Sequence, residues 1–304
     1  MTLTEREDAE ITAANATGRR PVAFVHGLWL LAASWDPWRK HFEEKGYATL
    51  APGWPDDPET AAEAREHPEV LAGKSLGEIT HHYAEAIGGL ARKPVVIGHS
   101  FGGLLTEKLA GQGLADGAVA IDPAPFRGVL PLPLSALRSS SPVLRNPANR
   151  NKAVGLTYEQ FRYAFANSVP EDEAHQLYED YSVPGPGKPV FQAASANINP
   201  RSEASVEVSN ARRGPLLVIS GERDHTVPRA IAHASYTRHQ KHSPAPVEFI
   251  EIAGRGHSLT IDSGWQEVAD TALDFLARHD LDAVPPRQSG DGGGGTASRS
   301  RPGS

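Results

Sequence analysis

Three kinds of side chain in this sequence could carry nucleophilic chemistry together, and each follows a short apolar run. Ser100 lies in Gly98-His99-Ser100-Phe101-Gly102, after Val95-Val96-Ile97 and before Leu104, Leu105 and Leu109 at roughly helical spacing. That pattern predicts strand, sharp turn and helix. In such a turn the residues two before and two after the serine must lack bulk, a demand Gly98 and Gly102 meet, while the serine takes strained backbone geometry with its hydroxyl presented. A serine hydroxyl is too weak an acid to attack at neutral pH, so it needs a histidine to take its proton and a carboxylate to orient that histidine. The chain supplies both at predicted strand ends: Glu222-Arg223-Asp224-His225 follows one run, and Gly254-Arg255-Gly256-His257 follows another. Asp122 also ends a strand-like run, so the acid is Asp224 or Asp122. The other histidines suit other tasks: His26 and His99 read as structural or pocket-lining, and His225 as a loop residue. His81 and His82 sit side by side on a predicted helix and face apart, so no metal site is expected.

Strands must place these groups. Buried-strand character falls at residues 21–25, 47–51, 95–97, 117–121, 215–219 and 247–252, with amphipathic helical spacing at 76–90, 104–110 and 265–278. A helix carrying Trp35, Trp38 and Phe42 is expected after Ser34 as N-cap, ending near Gly46. Strands alternating with helices predict right-handed crossovers and a mostly parallel sheet, with the site in loops beyond the strands' carboxyl ends. Residues 1–20 lack periodicity and read as a flexible arm, residues 52–74 as a surface excursion, and residues 283–304, rich in Gly, Ser, Arg and Pro, as a disordered tail. Residues 127–213 interrupt the core (21–126 and 214–282) without a buried-strand run. They are Pro/Ser-rich at first, then helical near 158–165 and 171–181, as an inserted cap would be.

Composition narrows the chemistry. A formal charge of −7 with 22% charged residues gives no electrostatic reason to expect nucleic acid or a membrane as partner. The absence of cysteine removes disulfides, thiolate catalysis, iron–sulfur clusters and cysteine-ligated zinc. No run of about 18 apolar residues and no apolar signal region is present, so a cytoplasmic protein is expected. The glycines from 98 to 103 lack dinucleotide-fingerprint spacing and no P-loop occurs, so no cofactor is expected. Oligomeric state cannot be read.

Together with His26-Gly27-Leu28-Trp29, the segments GHSFGG, GERDHTVP and GRGHS, in this order over about residues 21–278, resemble the motifs of α/β-hydrolase fold enzymes. The resemblance implies an α/β fold with a mostly parallel sheet of about six strands flanked by helices and a helical cap insertion. It implies Ser100 as nucleophile, Asp224 as acid, His257 as general base, and the backbone N–H groups of Leu28 and Phe101 as oxyanion donors. Trp29 and His99, with Phe161, Phe165 and Leu177 from the cap, would line the substrate pocket. The activity implied is hydrolysis of a small, largely apolar carboxylic ester or lactone through an acyl-enzyme. A serine nucleophile argues against dehalogenase and epoxide hydrolase chemistry. A cofactor-free lyase, a carbon–carbon hydrolase or a haloperoxidase-type enzyme on the same fold remains the alternative, as does a ligand receptor; a lyase would need a Lys or Thr in the pocket that the sequence does not place.

Overall fold

The computed structural model describes residues 2–283. In chain order it contains α1 (Glu5–Thr17), β1 (Pro21–Val25), α2 (Asp36–Glu44), β2 (Ala48–Leu50), α3 (Ala61–Glu66), α4 (Leu76–Gly88), β3 (Val95–His99), α5 (Phe101–Gly111) and β4 (Gly117–Ile121). Next come α6 (Leu134–Leu144), β5 (Ala153–Val154), α7 (Tyr158–Ala164), α8 (Glu171–Tyr181), β6 (Gly185–Pro186) and α9 (Gly187–Ala194). The core then resumes with β7 (Leu216–Gly221), α10 (Arg229–His242), β8 (Val247–Ile252) and α11 (Trp265–Arg278). Six strands form one parallel sheet in the order β2-β1-β3-β4-β7-β8, while β5 and β6 pair as a small antiparallel ribbon inside the insertion.

Strand alternation divides the core. Along the sheet Val95, Ile97, Val119, Ile121, Leu217 and Ile219 face one side, where Trp38 and Phe42 of α2 and Val268, Phe275 and Leu276 of α11 cover them. Val96, Ala118, Ala120, Leu216 and Val218 face the other side, against Ile79 and Tyr83 of α4, Leu104 and Leu109 of α5, and Ile231 of α10. Strands buried on both faces read as continuous apolar runs, which is why they were visible in the sequence.

Several expectations need correction. Residues 1–20 are not a loose arm, because 5–17 form α1. Its apolar periodicity is weak, but Thr4 and Glu7 form a reciprocal capping box, a T-x-x-E signal. Glu7 is buried; its carboxylate also accepts from His82 Nε2 (2.9 Å) and the Gly53 amide (3.1 Å), tying α1 to α4 and to the chain after β2. Ser34 does not cap an α-helix. It lies in a 3₁₀ turn over Ala32–Trp35, its hydroxyl donates to Leu31 O (2.7 Å), and α2 begins at Asp36 with Pro37 in the first turn. Residues 52–74 are only partly superficial, since Trp54 is buried and stacks on His26 with ring centroids 5.3 Å apart. Of the tail, Ala283 is buried beside Gly46; residues 284–304 lie outside the described residues.

The Glu7 network generates a pH-dependent prediction. Burial opposes ionisation of Glu7, but the hydrogen bonds from His82 and Thr4 prevail and hold its pKa at about 2. A carboxylate depressed in this way stabilises the fold fully above its unfolded value and loses that contribution as pH falls through the folded one. Glu7→Gln should therefore lower Tm by about 5 °C at pH 7, and the gap to wild type should close toward pH 3. A gap independent of pH in a thermal-melt series would contradict the network.

Candidate active site

The site is assembled at the carboxyl ends of β3, β7 and β8. Ser100, between β3 and α5, has φ +58°, a left-handed conformation unusual for a residue with a side chain. Close approach of backbone enforces it. A Cβ on Gly98 would meet Gly102 O at 2.2 Å, and one on Gly102 would meet Val25 O at 2.0 Å. The Ser100 amide donates to Ile121 O (2.9 Å) and its carbonyl accepts from Ala124 N (2.9 Å), fixing the turn to the end of β4.

His257 and Asp224 come from loops that bond to one another. Glu222 N donates to Ile252 O (3.1 Å) and Arg223 N to Arg255 O (2.8 Å), so the loop after β7 and the loop after β8 are tied together. Arg255 pairs with Asp262, Ser258 Oγ donates to Asp262 (2.8 Å), and Trp38 Nε1 donates to Thr260 O (2.8 Å). Thus held, His257 places Nε2 3.0 Å from Ser100 Oγ and Nδ1 2.5 Å from Asp224 Oδ2. The Asp224 carboxylate can only accept, so Nδ1 carries the proton and Nε2 is free to accept from the serine hydroxyl. Asp224 Oδ1 takes the amides of Thr226 (2.6 Å) and Val227 (2.8 Å). Burial alone would raise its pKa, but the neighbouring His257 and these donors hold it below the usual carboxylate range.

Of the two acids left open by the sequence, Asp224 is the one that meets the histidine. Asp122, fully buried with φ +41°, instead accepts the Gly221 amide through Oδ1 (2.8 Å). Its Oδ2 accepts from no described group, and burial together with the Asp224 charge pushes its pKa well above the usual value. Burial and the neighbouring Asp224 charge therefore favour the protonated form of Asp122. His99 departs from expectation in another way: it does not line the cavity in front of Ser100. As the last residue of β3 it shares the face of Val95 and Ile97, which turns it behind the serine and against the His257 ring at 4.5 Å. Burial first, then His257, keeps it well below the ordinary histidine value, hence neutral. One ligating atom each from His99, Asp122 and His257 lie within 4.8 Å of one another, but Asp224 and Ser100 already engage both His257 nitrogens, which leaves that ring no free lone pair for an ion. His26 is 2.9 Å from Asp57 and beneath Trp54, and His225 packs on Tyr163 at 4.6 Å, so neither reaches Ser100.

In front of Ser100 lies a cavity of about 210 Å³, lined by Trp29, Phe101 and Phe126, by Val129, Leu130, Pro131, Leu132, Ala136 and Leu137 of the Pro-rich stretch, and by Val190 and Ala193 of α9. No charged side chain lines it; Ser139, Ser140, Asn197 and Thr226 are its polar members. The expected wall residues Phe161, Phe165 and Leu177 are absent from it. They are buried in the core that continues from the α4/α5 side of the sheet, where Phe165 stacks on Phe161 at 5.1 Å and sets its edge against His257 at 4.7 Å. Trp29 does line the cavity, with φ +67° and Nε1 donating to Val154 O (2.9 Å). The amides of Leu28 and Phe101 donate to no other group among the described residues. Sequence reasoning missed the wall because leucines alternating with prolines carry neither helical nor strand periodicity; only their apolar character signalled it.

The raised pKa of Asp122 has a measurable consequence. A carboxyl whose folded pKa lies above its unfolded value near 4 costs stability progressively as pH rises past that value. Asp122→Asn, which keeps a donor in place, should gain Tm relative to wild type from pH 5 to pH 8, by about 2–5 °C at the upper end. A Tm difference that stays flat over this range would mean that Asp122 is ionised.

A model of the alpha/beta hydrolase family matches residues 22–271 of this chain. No curated protein matches it. Solved structures of similar fold include a monoacylglycerol lipase from Paleococcus ferrophilus (20% identity, 85% of this chain and 94% of that one covered, TM-score 0.58). They also include a thermophilic esterase from Thermogutta terrifontis (18%, 86% and 90%, TM-score 0.62) and a pyrethroid hydrolase from Sphingobium faniae (17%, 85% and 97%, TM-score 0.60). At these identities the likeness speaks for the fold. The family match takes in the whole sheet together with Ser100, Asp224 and His257, and the chain belongs to the alpha/beta hydrolase family.

Proposed function

We propose that this protein is a serine hydrolase that cleaves a neutral, largely apolar carboxylic ester through an acyl-enzyme. The observation that carries the reading is the continuous hydrogen-bond chain from Ser100 Oγ through His257 to Asp224 at the floor of an uncharged cavity. His257 Nε2 takes the Ser100 proton as Oγ attacks the ester carbonyl, and the amides of Leu28 and Phe101 donate to the oxyanion. Protonated His257, stabilised by Asp224, then gives its proton to the departing alkoxide. Water, deprotonated in turn by His257, attacks the acyl-enzyme and releases the acid. An apolar cavity with few polar groups suits an apolar acyl or alcohol moiety and rejects charged substrates, for which it offers no partner.

The names of the solved structures, a lipase, an esterase and a pyrethroid hydrolase, agree with this reading. Against a lyase, no lysine lines the cavity, and the hydroxyl of Thr226, its one threonine, is spent on Ala164 O at 2.7 Å.

With a panel of p-nitrophenyl esters, Ser100→Ala and His257→Ala should each lower kcat by about 10⁴-fold or more, and the double variant should lose little beyond that. Asp224→Asn should lose about 10³-fold or more through the wrong histidine tautomer. Asp122→Asn, which preserves the donor, should stay within about threefold. A fluorophosphonate should add to the wild type and not to Ser100→Ala. No ester turnover and no adduct in the wild type would sink the proposal, and a large loss in Asp122→Asn with a small one in Asp224→Asn would move the acid to Asp122.

A further inference from the structure

Five of the six large apolar side chains exposed among the described residues, Leu130, Leu132, Leu134, Leu137 and Ile198, gather at one place, the mouth of the Ser100 cavity. Leu130 and Leu132 line the cavity yet remain 75% and 66% exposed, and Leu134 and Ile198 beyond them are 85% exposed. Ile198 belongs to this patch because its neighbour Asn197 donates to Val129 O (2.8 Å) and accepts from the Gly128 amide (2.6 Å). The sequence Leu130-Pro131-Leu132-Pro133-Leu134 holds its leucines out on stiff backbone; Pro133 has φ −61°, ψ 149°, an extended polyproline-like geometry. Contiguous exposed apolar surface of this kind marks an interaction site in a water-soluble protein.

Charge says what the site meets. The whole chain carries −7, yet residues 123–158 contain no Asp or Glu and five cations, Arg127, Arg138, Arg145, Arg150 and Lys152. All five are exposed, and none forms an ion pair with a described carboxylate. Leu134 and Arg138 of α6 and Arg145, its C-cap in helical conformation, are four and then seven residues apart, so they share the outer face while Val143 is buried on the inner one. Arg138 rests on the Tyr163 ring at 3.8 Å with its charge free. The net negative charge, which argued against an anionic partner, is an average that conceals this local reversal.

We propose that this face, Leu130, Leu132, Leu134 and Ile198 flanked by Arg138 and Arg145, docks on an anionic phospholipid surface and admits acyl esters from it to Ser100. The proposal rests on the ester-hydrolase reading and names the state in which the substrate is presented. Leucines enter the acyl region while guanidinium groups meet the headgroup phosphates. The contact is peripheral, since no helix of the described residues is long and apolar enough to cross a membrane.

The test uses the full chain carrying Ser100→Ala, so that lipid is not consumed, pelleted with vesicles of phosphatidylcholine alone or with phosphatidylglycerol added. Binding should be strong only with phosphatidylglycerol and should weaken at high salt. Leu134→Ser with Ile198→Ser, and separately Arg138→Gln with Arg145→Gln, should each reduce the bound fraction about tenfold. The same pairs placed in the wild type should leave turnover of a short soluble ester unchanged, since none of these four side chains lines the cavity. No binding, equal binding to both vesicles, or binding unmoved by the substitutions overturns the proposal, as does a dimer that these substitutions dissociate in the absence of lipid. Failure of the soluble ester assay in the wild type would instead count against the hydrolase reading, whatever the vesicles show.

Discussion

The structure depends on a contact with no room in it, the passage of the α5 backbone across the end of β1. The space above Val25 O cannot accept a methyl group at position 102, nor can the space below Gly102 O accept one at position 98. Because the helix sits so close, the chain must reverse within one residue after β3, and Ser100 takes the positive φ that results. That strain is offset by what surrounds it: the parallel pairing of β3 with β1 and β4, and a core on both faces of the sheet. The reward is a hydroxyl at the first turn of α5, where backbone amides converge and the helix dipole favours negative charge.

A fixed nucleophile is useful only if its partners arrive at the same place. The acid and the histidine lie 33 residues apart on separate loops, but β7 and β8 are neighbours in the sheet, and backbone hydrogen bonds between their loops continue that pairing past the strand ends. The insertion adds a third tether. At the end of α7, Phe165 O accepts from Ser258 N (3.0 Å), Ala164 O from the Thr226 hydroxyl (2.7 Å), and Asn167 donates to Arg223 O (2.8 Å). Residues 164–167 thus grip both loops, so the insertion is a brace for the His257 and Asp224 loops as well as a wall. Beneath them, burial shifts His99 and Asp122 each toward its uncharged form. Those shifts reduce competition with Asp224, the carboxylate that faces His257 Nδ1 at 2.5 Å.

What could be read in advance follows from which forces leave a trace in local sequence. Central strands buried on both faces, such as Val95–His99 and Gly117–Ile121, show as apolar runs, and the glycines at 98 and 102 show because only one residue type fits there. Ser100, Asp224 and His257 were legible because each follows a strand. The choice between Asp224 and Asp122 was not, since it turns on which carboxyl faces Nδ1 and which faces a backbone amide. Helix α1 escaped because its stability comes from a cap and a buried carboxylate rather than an apolar stripe, and α10 because its buried residues, Ile231, Ala232, Ser235 and His239, include polar ones. His239 Nδ1 accepts there from Arg213 at 2.8 Å, a long-range partner that no local pattern announces. His99 was assigned to the pocket from its neighbour Ser100, although strand alternation sends the two side chains to different sides.

The division of labour along the chain explains why chemistry was easier to read than substrate. Ser100, His257 and Asp224 sit where the sheet dictates, within a residue or a few of a strand end. The cavity wall and its rim come from residues 124–144 and α9, where apolar side chains have only to point inward or outward and no ladder fixes their spacing. In this stretch prolines replace hydrogen bonds as the source of stiffness, so leucines can stand partly in water without collapsing onto the core. One acid-free segment therefore contributes apolar contacts to the Ser100 cavity on its inner side and an apolar, cationic surface on its outer side. A change on α6 that alters the outer face leaves the inner one in place, because Leu134 and the buried Val143 lie on opposite sides of the same helix; the rim and the Ser100 cavity are physically separable.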